Sequence, residues 1–251
     1  MKVTKLLLAL FTAVALTSCN FTEEIYVNND GGGKFSIQLD GSQLAAMAGK
    51  EMQNDPQAGK VIDSTFSFKE LFAAKEDSIA KLPTDEQERL RKLENYTVSM
   101  KMNAAEQQML FTMATDFKNI GELEDAWSAM SGMSALDKGM GKTNPMAQAG
   151  GIGNNNSLLK YSYDGKKFSR KATLLKKETA ETENDSLGEA FNMIYESSTY
   201  TVKYHFPKKV KKVSNASAML SSDKKTVTVE YPFMDYMKEP EKLNFDVEFE
   251  K

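Results

Sequence analysis

Apolar and polar residues alternate along most of this chain. Ile25 and Val27 lead into Asn28-Asn29-Asp30-Gly31-Gly32-Gly33, and Phe35, Ile37 and Leu39 alternate back. Two period-two runs joined by a glycine-rich turn predict a β-hairpin, with the glycines supplying positive φ. Ser42 to Met47 reads as a short helix. Ser67-Phe68-Lys69-Glu70 is a capping box and predicts a helix from Phe68 to about Lys81. Leu71, Phe72, Lys75, Ile79 and Leu82 form its stripe, and Leu82-Pro83 ends it. Thr84-Asp85-Glu86-Gln87 caps another helix, to about Glu94.

The period then returns to two. Tyr96, Val98, Met100 and Met102 face one way, and Met109, Phe111 and Met113 return on one face of the next strand. Ile120, Leu123, Trp127, Met130 and Met133 form a helical stripe. Residues 137–157, rich in glycine and asparagine, are either a domain boundary or a long connection. The second reading is favoured because the same hairpin-then-helix pattern resumes beyond it. Leu159, Tyr161 and Tyr163 alternate up to Asp164-Gly165, a two-residue turn signal, and Phe168, Arg170, Ala172 and Leu174 return. Asn184 to Glu196 reads as a helix. Strands follow around Tyr200–Phe206, Ala216–Leu220, Val227–Tyr231 and Phe245–Phe249, with a short helix at Phe233–Met237. Such alternation belongs to antiparallel sheets with one wet face. The expected fold is α+β: a large curved antiparallel sheet built from hairpins, with helices packed on one face. It forms a single domain over 22–251.

The first nineteen residues break the pattern. Lys2 and Lys5 precede an apolar run from Leu6 to Leu16, followed by Leu16-Thr17-Ser18-Cys19. This is a basic segment, a short apolar core and a small-residue site. The run is too short to cross a bilayer, which takes about 20 residues. Its last four residues look like a bacterial lipobox. That resemblance implies a signal peptide over 1–18, diacylation of the Cys19 thiol and anchorage to a membrane of the cell envelope, most naturally the outer membrane, with the face left open. It also accounts for Cys19 being the sole cysteine of an exported chain. Two or three acyl chains make attachment effectively stable. Residues 19–21 then form a short tether, with a reach of about 10 Å.

Composition and motifs exclude more chemistry than they offer. Removing 1–18 leaves 30 basic and 35 acidic residues, a net charge of −5 against −3 for the whole chain. Nucleic acid is not an expected partner, because phosphate binding needs clustered Lys and Arg on a basic chain. The single histidine, His205, lies on the polar side of its strand. With the one thiol acylated, no Cys–His pair and no Cys/His zinc site can be assembled. Gly150-Gly151-Ile152-Gly153 sits between a helix and a strand, the reverse of the order a dinucleotide site needs. No catalytic residue, metal ligand or cofactor is expected. A hydrolase using two carboxylates stays open as an alternative, with no pair singled out.

Two surfaces remain. Tyr96, Val98, Met100, Met109, Phe111, Met113 and Trp127 make an apolar face that would accept a lipid or other apolar ligand, methionine being soft and adaptable. Plain core packing explains the same stripe. Lys208, Lys209, Lys211 and Lys212 crowd four lysines into five residues, suited to anionic headgroups or to guarding a strand edge.

The opening Ile25-Tyr26-Val27, Asn29-Asp30-Gly31-Gly32, Phe35-Ser36-Ile37-Gln38-Leu39 resembles the start of the LppM-like domain of bacterial lipoproteins, and Thr115-Asp116-Phe117-Lys118-Asn119 fits the same style. The resemblance implies an envelope protein and lipid binding. The chain departs from it in the 137–157 loop and in lacking a C-terminal membrane helix. Its Asn-, Lys- and Met-rich style is also similar to lipoproteins of Bacteroidota. In that group an acidic pair near the lipid cysteine can direct surface export; Glu23-Glu24 is similar but lacks the usual preceding residues, so surface display stays open. The expected function is a non-enzymatic, membrane-anchored binding module for a lipid or apolar ligand. The alternative is a scaffold contacting envelope proteins.

Overall fold

The computed structural model describes residues 20–43, 45–46, 61–103, 105–123, 157–174 and 195–250. Strand β1 (Asn20–Val27) turns back into β2 (Gly33–Asp40), with all eight residues of each in antiparallel register. Strand β3 (Ile62–Ser67) leads into helices α1 (Phe68–Ala73), α2 (Glu76–Ile79) and α3 (Thr84–Leu93). Strands β4 (Thr97–Asn103) and β5 (Gln108–Phe117) follow, then a 3₁₀ turn at Ile120–Glu122. Beyond it come β6 (Ser157–Tyr163), β7 (Lys167–Leu174), β8 (Thr199–His205), β9 (Val210–Val213), β10 (Met219–Leu220) and β11 (Thr226–Pro232). Helix α4 (Phe233–Lys238), a 3₁₀ turn at Pro240–Leu243 and β12 (Phe245–Phe249) complete the order.

The α+β reading holds, with two differences in the sheet. The large sheet has eight strands in the order β10-β11-β8-β1-β2-β5-β4-β3, and within it β1 pairs in parallel with β8. Parallel strands usually read as continuous apolar runs because helices cover both faces. Here the outer face of the pair stays polar, carrying Glu24, Tyr26, Lys203 and His205, so each strand alternates like an antiparallel one. A second sheet, β6-β7-β12-β9, takes the place expected for helices over the β8–β1 part of the inner face. Phe168 of β7 packs edge-on against Tyr204 of β8 at 5.2 Å, and Tyr204 stacks on Phe245 of β12 at 5.6 Å. Phe68 of α1 and Leu90 and Leu93 of α3 join the same core cluster. That cluster draws on strands before and after residues 124–156.

Local signals mostly behave as their chemistry dictates. Ser67 Oγ accepts from Glu70 N while the Glu70 carboxylate accepts from Ser67 N, closing the capping box. The helix it starts ends at Ala73 rather than Lys81. Lys75 (φ −124, ψ 21) leaves helical geometry, and α2 restarts at Glu76. A lysine in the middle of the stripe gives that turn no apolar anchor, and short helices depend on such packing. Thr84 does not cap α3; Pro83 occupies the position, and Gln87 Nε2 donates to Leu82 O at 2.8 Å instead. Strand β3, with three successive exposed residues and none buried, lacks the alternation that would announce it.

Candidate functional site

Strand β1 turns Phe21, Glu23, Ile25 and Val27 inward. One of those four slots therefore holds a carboxylate, and Glu23 is 1% exposed. Its neighbours across the strands are Val202 of β8 and Ile37 of β2, so Tyr200 and Tyr204 flank it diagonally on the same face. Strand β7 from the second sheet turns Phe168, Arg170 and Ala172 toward it, and β6 contributes Tyr161.

The resulting knot is closed. Tyr161 OH and Tyr204 OH donate to Glu23 Oε1, and Tyr200 OH donates to Oε2 at 2.5 Å. Arg170 Nη2 reaches Oε2 at 3.4 Å, and its Nη1 donates to Leu243 O at 3.3 Å. Arg170 Nε has no hydrogen-bond partner among the described residues. Burial pushes the Glu23 pKa up, but the Arg170 charge and the three phenol bonds outweigh it and hold the carboxyl below its ordinary value. Burial and the Glu23 charge raise the Tyr161 and Tyr204 hydroxyls well above theirs. The knot thus contains one anion, one cation and three neutral phenols, fastening one sheet to the other. A two-carboxylate hydrolase needs a second acid facing the first, whereas Glu23 faces only donors.

The other half of the tandem acid points outward. Glu24 Oε1 lies 2.8 Å from His205 Nε2, 3.1 Å from Lys203 Nζ and 3.1 Å from Tyr26 OH. His205 Nδ1 meets Thr226 Oγ1 at 3.0 Å, and its ring stacks on Tyr26 at 4.0 Å. Glu23 and Glu24, read from the sequence as an acidic pair beside the lipid cysteine, are built into β1 on opposite faces. The buried ion pair escaped the sequence reading, although its signal was there: Glu23 falls in step with Phe21 and Ile25, and Arg170 with Phe168 and Ala172.

Register brings most of the expected apolar face together. Val98 pairs with Met113, Met100 with Phe111 and Met102 with Met109, all on the inner side. Val98, Met113 and Phe111 are buried in the core, as is Tyr96, which meets Phe35 edge-on at 6.2 Å. Met100, Met102 and Met109 are half-buried. Trp127 and Cys19 lie outside the described residues, as do the 1–18 segment and all of 137–157 except Ser157. Strand β1 begins at Asn20, so Asn20 and Phe21, expected within the tether, belong to the sheet. A depression of about 770 Å³ lies on the opposite, outer face and is polar, lined by Lys34, Asn95, Thr97, Asp116, Lys118 and Glu122 among others.

Lys208, Lys209, Lys211 and Lys212 are exposed around the start of β9, an edge strand of the small sheet. Among the described residues no helix is long and apolar enough to cross a membrane, and no group of three or more His, Cys, Asp or Glu side chains is placed to hold a metal.

No protein-family model matches the chain, and no curated protein matches it in sequence. Among solved structures, the folded domain of LppM from Mycobacterium tuberculosis is similar at a TM-score of 0.36 and 8% identity, over 92% of this chain and 88% of that one.

Proposed function

We propose that this chain is a lipid-anchored protein of a bacterial envelope, held at Cys19. On this reading its folded body stands directly on the bilayer and takes an apolar ligand, an acyl chain, without chemistry. The observation that carries the reading is the junction at Asn20: the residue after the lipobox cysteine is already the first residue of a central strand. An acylated Cys19 would therefore hold the Asn20 end of the large sheet at the headgroups, with no slack for the body to move away.

The apolar face supports the ligand. Its buried part, Val98 and Met113, is level with Ile37 and Glu23 in the middle of the sheet. Its half-buried part, Met102 and Met109, lies toward the anchored end. Met109 O accepts from Gly41 N, next to Asp40, which pairs with Asn20. Two strand spacings separate β1 from β5, about 10 Å. Val61, 70% exposed, precedes Ile62, which pairs with Met102. Exposed and half-exposed apolar residues thus gather where an acyl chain would enter from the membrane, and methionine suits chains of varied shape.

Native mass spectrometry of the full-length lipidated protein tests this. The expected result is a bound acyl species beyond the covalent anchor, lost in a Met102→Lys/Met109→Lys variant that keeps its fold. Protein that carries no apolar molecule, or carries it equally in the variant, overturns the ligand reading. Loss of the covalent anchor mass would overturn the anchoring instead.

A further inference from the structure

Lysines gather at one end of β1. The strand spans seven residue steps from Asn20 to Val27, about 23 Å. At its Val27 end three turns meet. Lys208 Nζ donates to Gly165 O at 2.8 Å, joining the β8–β9 connection to the β6–β7 turn. Phe206 N donates to Lys225 O and Val210 N to Lys224 O, joining it to the β10–β11 turn. These segments and β9 expose eight lysines: Lys166, Lys167, Lys208, Lys209, Lys211, Lys212, Lys224 and Lys225. The acids at this end, on these segments, the β1–β2 turn and the adjoining end of β12, are Asp30, Asp164, Asp223, Glu248 and Glu250, and Glu248 lies in register with Lys212 of β9 and Lys167 of β7. Asp164 and Asp223 are turned back onto their own turn amides. Lys167 pairs with Asp246 at 3.0 Å, and the other seven have no carboxylate partner within 4.0 Å among the described residues. At the Asn20 end charge is mixed: Asp40, Glu106, Glu196 and Glu239 stand near Lys101, Lys238 and Lys242, and Lys242 pairs with Glu239 at 2.8 Å.

This basic pole belongs to a chain that is acidic as a whole. Eight lysines outnumber the acids among them, so this end is net positive, and an added anionic partner would relieve repulsion that acts over a Debye length of about 8–10 Å. Guarding a strand edge accounts for Lys211 and Lys212, which lie on β9. It does not account for Lys166, Lys208, Lys209, Lys224 and Lys225, which lie in turns. Beside them, Met219 is 55% and Leu220 42% exposed, on the short edge strand leading into the Lys224 turn. Together with the lysines they give this end the mixed basic and apolar character that an acidic, partly apolar segment would complement.

We propose that the Val27 end is a docking surface for an acidic, partly apolar segment of a second envelope protein. Its orientation rests on anchorage at Cys19, which turns this pole away from the bilayer holding the protein; its chemistry does not depend on that reading. The home membrane lies at the other end of β1. A second copy anchored alongside would present its own basic pole at the same height. A phosphate polymer would satisfy the lysines but would leave Met219 and Leu220 unused.

The test uses full-length lipidated protein in phosphatidylcholine nanodiscs, titrated with a labelled peptide of about 20 residues repeating Glu-Glu-Leu. Binding should weaken as salt is raised. It should fall at least tenfold in Lys208→Glu/Lys209→Glu/Lys224→Glu, fall several-fold in Met219→Ser/Leu220→Ser, and be unchanged in Lys101→Glu/Lys238→Glu. If the triple glutamate variant does not fold, the corresponding glutamine variant serves. Absence of peptide binding overturns the proposal, as does equal loss in Lys101→Glu/Lys238→Glu. Binding of polyphosphate with an inert peptide would assign the pole to phosphate polymers, and binding of phosphatidylglycerol vesicles to a second membrane; either overturns a protein partner. Full-length Cys19→Ala protein should bind the peptide as well as the parent does, so failure of the pole and failure of the anchor are read separately.

Discussion

Arg170 sets its Nη2 3.4 Å from Oε2 of Glu23, and both residues are 1% exposed although they come from different sheets. Each charge would be costly alone: burying an ion loses its hydration, and only the partner and the surrounding hydrogen bonds offset that loss. The carboxylate is fully supplied by three phenols and the guanidinium, while the guanidinium is left with an unmatched Nε. The pair therefore fixes how β7 sits over β1 more than it adds to stability.

Removing one member alone strands the other. Arg170→Met should lower unfolding free energy by about 3–5 kcal/mol, and Glu23→Leu by a similar amount. Glu23→Leu/Arg170→Met removes both charges and keeps the volume, so its loss should be smaller than the sum of the singles. Urea titrations of the four proteins measure the coupling. Additive losses would mean that the two charges do not stabilise one another.

The same knot sets a pH window. The Glu23 carboxyl is depressed in the folded state, so its contribution is present above the unfolded value, roughly pH 4.3, and is lost as pH falls through the lower folded value. Tyr161 and Tyr204 are raised, so their contribution is full below the unfolded phenol value, about pH 10, and drains away above it. Stability should hold a plateau between these limits as far as the knot governs it. Denaturation midpoints against pH check the acid limb, whose slope should flatten in Glu23→Gln. Absorbance of phenolate near 295 nm should show Tyr161 and Tyr204 ionising only together with unfolding.

The glycines of the first hairpin serve different ends. Gly31 has φ +85 and is needed for its conformation. Gly33 is needed for space: a Cβ there would fall 1.8 Å from Tyr26 O and 2.8 Å from the Phe117 ring. Gly31→Ala should cost about 1 kcal/mol. Gly33→Ala should cost more, because the carbonyl it strikes is backbone paired inside the sheet and cannot swing aside. Thermal unfolding of the two variants side by side would show the order, and equal losses would refute the spatial argument.

What could be read from the sequence was local. The Gly31 and Asp164-Gly165 hairpins, the Ser67 capping box and the shared face of Val98, Met100 and Met113 follow from periods and turn residues a few positions apart. The pairing of β1 with β8 joins residues nearly 180 positions apart, and no local signal encodes it. The wet outer face even disguised its parallel sense. Glu23 and Arg170 were legible as charges in apolar slots, yet nothing in either strand names the other. For the functional surfaces, alternation located the methionine face. The lysine pole emerged only when folding brought the turns at Gly165, Lys208 and Lys224 together, because sequence showed one of the three clusters as a run.

The junction at Asn20 gives the last prediction. Cys19→Ala should remove the protein from the membrane fraction once uncleaved precursor is discounted, since no helix among the described residues is long and apolar enough to replace the anchor. A subtler change keeps the lipid and breaks the geometry: a flexible Gly-Ser segment of 15 residues between Cys19 and Asn20. Such a linker reaches about 20 Å on average, at roughly 5–6 Å times the square root of its length. Membrane attachment should persist, because the acyl chains are untouched. Capture of an acyl chain at Met102 and Met109 should fall, because the Asn20 end is no longer held at the headgroups. Fractionation and native mass spectrometry on the same preparation separate the effects. Undiminished acyl loading with the linker in place would show that the contact between sheet and bilayer is incidental.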